Sequence, residues 1–112
     1  MIITPSAEVP GYRTVRSFGL VRGNTIRARH VGKDILAGLR NIVGGEISEY
    51  TKMMAEAREQ AIDRMSEEAE RLGANAVVNV RFSTSYIMGA ASEIMVFGDA
   101  VLLREEPEVS GF

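Results

Sequence analysis

The stretch Gly44–Arg81, GGEISEYTKMMAEAREQAIDRMSEEAERLGANAVVNVR, reads as a glycine hinge, a long amphipathic helix, a glycine stop and the start of a strand. From Glu46 to Leu72 the apolar residues fall at Ile47, Tyr50, Met54, Ala57, Ala61, Met65, Ala69 and Leu72. These steps of three and four keep one helical face, which Ala55 and Ile62 widen. Roughly seven turns at about 1.5 Å per residue predict a rod on the order of 40 Å, enough to span a domain of this size. Glu46 and Glu49 place carboxylates in the first turn, where they complement the helix dipole. Arg71 sits in the last turn, and Gly73 occupies the position where a left-handed residue closes a helix at least steric cost. After Gly73 the apolar period falls from about 3.6 to 2.

Downstream, Ala76, Val78, Val80 and Phe82 alternate with Asn79, Arg81 and Ser83, predicting a strand with one wet face. Met88–Ser92, containing Gly89, reads as a hairpin loop that returns the chain through Glu93–Arg104. The returning strand carries Met95, Phe97, Val101 and Leu103 on one face and Ile94, Val96, Ala100 and Leu102 on the other. Both faces want cover, one helix layer supplies one, and the remaining apolar face argues for self-association.

Upstream, Pro5, Pro10 and Gly11 break regular structure, so residues 1–11 are expected to form an extended arm able to cover a sheet edge. Tyr12–Val21 is the first predicted strand, with Val15 and Val21 on one side, Phe18 and Leu20 on the other, and a bulge at Gly19. Gly23–Asn24 reads as a turn, after which Thr25–Val31 extends the sheet with Arg27 and Arg29 toward solvent or a neighbouring copy. Asp34 caps a short helix holding Ile35, Leu36, Leu39, Ile42 and Val43. Residues 105–112 read as a mobile tail. The whole chain, residues 1–112, is expected to be a single α+β domain: an antiparallel sheet packed on one long helix.

A chain of 112 residues buries well under three quarters of its unfolded surface alone, which again favours oligomerisation. Thirteen basic and 15 acidic residues give a net charge of -2, which points to no polyanionic partner. The charge is unevenly spread: Arg13, Arg16, Arg22, Arg27, Arg29, Lys33 and Arg40 precede Glu46 against only Glu8 and Asp34. Without aromatic residues alternating among them, these arginines are read as neutralising the acidic remainder, and no nucleic-acid partner is expected. The absence of cysteine excludes disulfides, thiol catalysis and zinc-thiolate sites, and makes the cytoplasm the expected compartment. No basic n-region with an apolar core opens the chain and no run of eighteen apolar residues occurs, so neither standard export nor a membrane partner is expected.

The segments DILAGLRNIVGGEISEYTKMM from Asp34, AREQAIDRM from Ala57 and GANAVVNVRF from Gly73 resemble the YbjQ-like family, small bacterial and archaeal proteins of unknown function that carry a heavy-metal-binding label. The likeness spans nearly the whole chain. It implies a βαββ-type unit related to dodecin-like folds, assembled as a ring of five copies. Where the family reads Gly-Thr-Ala-Val, this chain has Gly98, Asp99, Ala100 and Val101. A carboxylate there needs a partner, protonation or a water-filled interface.

Soft heavy metals want Cys, His or exposed Met, and the chain holds no Cys and one His. Met54 and Met65 lie on the apolar stripe, where methionine fills cores. His30 is the one metal candidate, on condition that a symmetric ring gathers several copies of it; no serine or cysteine completes a hydrolase motif with His30 and Asp34. The run Glu67, Glu68 and Glu70 is a solvated helix face. The helix-start corner is the expected ligand site: Gly44, Gly45 and Glu46 with Arg40 and Asn41 before them and Arg81 on the wet strand face could hold an anion. The structural alternative gives the glycines a hinge and Arg81 a salt bridge to Glu46 or a neighbouring copy. Two function classes follow: a non-enzymatic homo-oligomeric module binding a small anion or ion between copies, and an enzyme completed between copies with Glu46, Arg40 and Arg81 as acid-base and anion-holding groups. No substrate is named by any motif, and no cofactor beyond a metal ion is implied.

Overall fold

The computed structural model describes residues 1–27, 45–87 and 91–107. Five elements lie within them: β1 (Ile2–Ile3), β2 (Tyr12–Arg27), α1 (Gly45–Leu72), β3 (Ala76–Ile87) and β4 (Ala91–Glu105). The sheet order is β1-β3-β4-β2. β4 is antiparallel to both neighbours, whereas β1 runs parallel to β3 with Ile2 opposite Ala76 and Ile3 opposite Val77. The α+β architecture is as expected, but the sheet is mixed, because the N-terminal arm adds a parallel strand to its edge. The short helix expected after Asp34, the extension past Arg27, the loop between β3 and β4 and the tail beyond Pro107 lie outside the described residues.

The long helix runs as its periodicity predicts. Ala57, Ala61, Met65 and Ala69 are fully buried, and Met54 and Ile62 pack at their flanks. Small residues at three of those four positions let the helix lie close to the sheet, and one of its crossings is at backbone distance. A Cβ at Gly23 would overlap the carbonyl oxygen of Ala61 and come within 2.5 Å of the Met65 amide nitrogen. Gly23–Asn24 is therefore no turn: β2 is one strand of 16 residues, and its glycine admits the helix. Two residues on, buried Thr25 donates its hydroxyl to the Ala57 carbonyl at 3.1 Å, and Arg64 donates to the Asn24 carbonyl.

The helix stop is a Schellman cap. Gly73 has φ 94°, its N–H reaches the Glu70 carbonyl, and the Ala74 N–H reaches the Ala69 carbonyl. Ala69 and Ala74 are both buried, which supplies the apolar contact that accompanies this cap. Leu72, the last residue of the predicted stripe, is 45% exposed instead, since the chain turns away before it reaches the sheet.

Three bulges decide which side chains face the helix. Register shifts between Thr14 and Arg16 and between Ser17 and Gly19 put Phe18 on the helix side with Val21, correcting the expected split. Leu20 faces the other way and is 63% exposed. A third shift, between Val78 and Arg81 in β3, sends Val77 and Val80 to the helix core and Ala76 and Val78 to the opposite face. The simple alternation expected for β3 therefore fails at Asn79.

On the face away from the helix, Ala76, Val78, Val101 and Leu103 form a second small core roofed by Ile2, Val9 and Tyr12. The arm thus covers, within the same chain, half of the face that the sequence leaves bare. The other half remains: Leu20 and Ile26 on β2 are exposed beside half-buried Met95 and Phe97 on β4.

Candidate functional site

The sequence-predicted corner divides. Arg40, Asn41 and Gly44, and the metal candidate His30, lie outside the described residues. Gly45 is the first residue of α1 and Glu46 the second. Arg81 stands on β3 beside Phe97, one register step from the Phe82–Val96–Gly23 row that meets Ala61. Fifteen residues separate Ala61 from Glu46 along the helix, about 22 Å. Arg81 also lies on the face away from α1, so one chain does not bring it to the helix start.

Arg81 is instead tied to the arm. Its Nη1 donates to the Pro5 carbonyl at 2.9 Å and to the Val80 carbonyl at 2.8 Å. The surrounding backbone explains why a guanidinium is needed there. Asn79, with φ 55°, is in the left-handed region that Asn tolerates better than most residues. That kink turns the Asn79 and Val80 N–H groups outward to the Ser6 and Thr4 carbonyls, clamping the arm onto β3. Arg81 satisfies carbonyls that the kink leaves beside it.

Asp99 sits at the same bulge. It is half-buried and accepts a hydrogen bond from Asn79 Nδ2 at 3.0 Å. Next to it Gly98 is obligatory, because a Cβ would stand 2.7 Å from Val77 Cγ1 and 2.8 Å from the Val78 carbonyl oxygen. One further asparagine joins the strand ends: Asn75 accepts from the Leu103 N–H and donates to the Leu103 carbonyl, standing in for a strand partner. Sequence reading located Arg81 and Asp99 but not their common support, since Asn79 looked like an ordinary wet-face residue.

Two adjoining clefts, about 570 and 320 Å3, open where the arm turns into β2. Val9, Tyr12, Glu8 and Glu106 line both, and Arg13 and Leu103 the smaller one. The turn itself follows from sequence: Pro10 and Gly11, with φ 83° at Gly11, occupy the central positions of a turn closed by the Tyr12 N–H on the Val9 carbonyl. Two carboxylates are too few for a metal cage. Among the described residues no group of three or more His, Cys, Asp or Glu side chains converges. With no cysteine in the chain and Met65 sealed in the core, this donor set does not fit a soft heavy metal. No described helix is long and apolar enough to cross a membrane.

Comparison with known proteins is consistent with this geometry. A UPF0145 protein of Dehalococcoides mccartyi is 59% identical over 104 residues, covering 93% of this chain and all of that one. A UPF0145 protein of Archaeoglobus fulgidus is 58% identical over 104 residues, 93% of this chain and 96% of its own length. One from Thermus thermophilus is 52% identical over 109 residues, 97% and 96%. A crystal structure of a DUF74-family protein of unknown function from Pediococcus pentosaceus superposes with a TM-score of 0.62 at 16% identity, covering 93% of this chain and 98% of that one, and so supports the fold alone. The family model described as "Putative heavy-metal-binding" matches residues 1–104, and the chain belongs to this YbjQ-like family of uncharacterised proteins.

Proposed function

We propose that the protein is a non-enzymatic homo-oligomeric module, a ring of five copies as the family resemblance implies, that holds a small anion or ion where copies meet. The observation that carries this reading is the bare half of the sheet. Leu20 and Ile26 are 63% and 56% exposed beside half-buried Met95 and Phe97, and β2, 16 residues long, is an edge strand in the described sheet. A long apolar-flanked edge is a liability that proteins cover or pair. The dimensions agree: the Cα radius of gyration is 18.6 Å, where about 13 Å is expected for a compact chain of this length.

The ligand site in this reading is the helix-start corner of one copy, Arg40, Asn41, Gly44, Gly45 and Glu46, completed by Arg81 of another. Arg81 retains guanidinium donors beyond the Nη1 bonded to the arm. Light scattering at micromolar concentration tests the assembly directly, with a pentamer expected and a clean monomer refuting it.

Metal binding has the family description in its favour. Because the described donors do not fit, it would require His30 gathered from several copies around an axis. Native mass spectrometry with and without chelator decides it: a ring that takes up no divalent or copper ion at micromolar metal disposes of that reading.

A further inference from the structure

We propose that Arg13, Arg16 and Arg104 form an oxyanion-binding ledge at the C-terminal end of α1, complete within one chain and suited to a phosphate group. It goes beyond the reading above, since no residue of it comes from a second copy and it lies at the other end of the helix from the corner of Arg40 to Glu46.

The register builds it. Gly19 stands opposite Ala100, Arg16 opposite Leu102 and Arg13 opposite Arg104, successive rows of the face that α1 covers further along. The bulge at Val15 keeps Arg16 on that face; without it, Arg13 and Arg16 would fall on opposite sides. All three arginines are exposed. The helix does not reach them: it ends at Leu72, and a Cβ at Gly73 would lie 3.7 Å from the Phe18 ring, one row short of Arg16.

Like charges directly opposite on neighbouring strands are unfavourable, and this chain adds a third cation in the next row. Glu105 does not relieve them, because it pairs with Tyr12 on the other face, and Glu8 and Glu106 meet one of the three, Arg13, at the smaller cleft. The helix end does not account for them either. Its Ala69 and Glu70 carbonyls are taken by the cap, and Arg71 already supplies a cation in the last turn. A bound oxyanion turns the repulsion into recognition, since guanidinium forks match phosphate oxygens two at a time. One fork is held in advance: the Arg16 guanidinium stacks 4.8 Å from the Phe18 ring centroid, which fixes the group and leaves its N–H donors free of that contact. Half-buried Leu102, opposite Arg16, keeps the floor apolar.

The test is calorimetric titration of the full chain with inorganic phosphate and with glycerol 3-phosphate, against chloride of matched ionic strength. Saturable binding is expected, and tighter binding of one probe identifies free phosphate or a phosphate ester as the preferred source. Arg13→Gln and Arg104→Gln should each weaken it about 10-fold or more, and Arg104→Lys less. In phosphate-free buffer Arg104→Gln should melt no lower than the parent, which a merely structural arginine would not allow. The ledge is overturned if neither probe saturates, if the Arg13→Gln/Arg104→Gln double variant binds as the parent does, or if Arg81→Ala alone abolishes binding, which would leave the inter-copy corner standing. Binding that emerges only after removal of residues 108–112 also overturns it, because the occupant is then the chain's own tail. Light scattering on Arg104→Gln separates this outcome from the assembly question, with unchanged assembly expected.

Discussion

The two faces of the sheet are built from the same kinds of residue and closed in different ways. Toward the helix, Val21, Val77, Val96 and Met65 are completely buried and the backbones of β2 and α1 touch at Gly23. Away from it, a four-residue core is roofed by an arm held through a handful of backbone bonds and one arginine, and beyond that arm Leu20 and Ile26 stand exposed. The first closure is continuous packing with no tolerance for added volume. The second is a set of separable clamps, so changes there should be graded and should register in association as much as in stability.

The sharpest attack on the contrast is Gly23→Val. Its side chain would meet the Ala61 carbonyl and Met65 amide rather than a flexible tip, so unfolding in urea should show a loss of about 3 kcal/mol or more. Met65→Ala, which leaves a cavity in the same core, should cost about 3 kcal/mol in the same measurement. A loss below about 1 kcal/mol for both would mean that the helix face is no more rigid than the arm face.

At the clamp, Asn79→Ala should cost about 2 kcal/mol, combining left-handed strain with the lost bond to Asp99, while Asn79→Gly, relieved of the strain, should cost about half as much. Equal losses would show that the amide bond and not the backbone carries the bulge. Smallest in stability is Leu20→Ser, expected within about 0.5 kcal/mol because the side chain is already in water. Its effect should appear in light scattering as smaller species. Unchanged assembly with Leu20→Ser and Ile26→Ser together would remove the bare half-face from the interface.

Legibility followed the same division. The helix was read from spacing, its end from Gly73, and the β3–β4 hairpin from Gly89 and flanking alternation; the structure gives α1 to Leu72 and pairs Ile87 with Ala91. Each of these depends on contacts close in sequence. The readings that failed depend on distant ones. Gly23 signals a turn by composition and is a passage for the helix only because Ala61 crosses it. Asn79 interrupts an apparently regular strand because the arm docks there. The candidate site suffered likewise: the sequence offers Arg81 as an anion-holding group on a wet strand face or as a salt-bridge partner, whereas the partners seen within the chain, Pro5 and Val80, are backbone carbonyls with no side-chain signature. Arg13 and Arg104 sit at opposite ends of the chain, and no local pattern pairs them.

The sequence alone determined the elements, the α+β class, the apolar stripe of Ala57, Ala61, Met65 and Ala69, and the poverty of metal ligands, because periodicity and residue chemistry are local properties. Tertiary structure alone decided which face each strand residue takes, since three single-residue bulges each reverse the alternation beyond them. It decided as well that the arm roofs half of the second face, and that three arginines from the two ends of the chain share a ledge. Those outcomes rest on register and on backbone groups, which every residue carries and no sequence pattern displays.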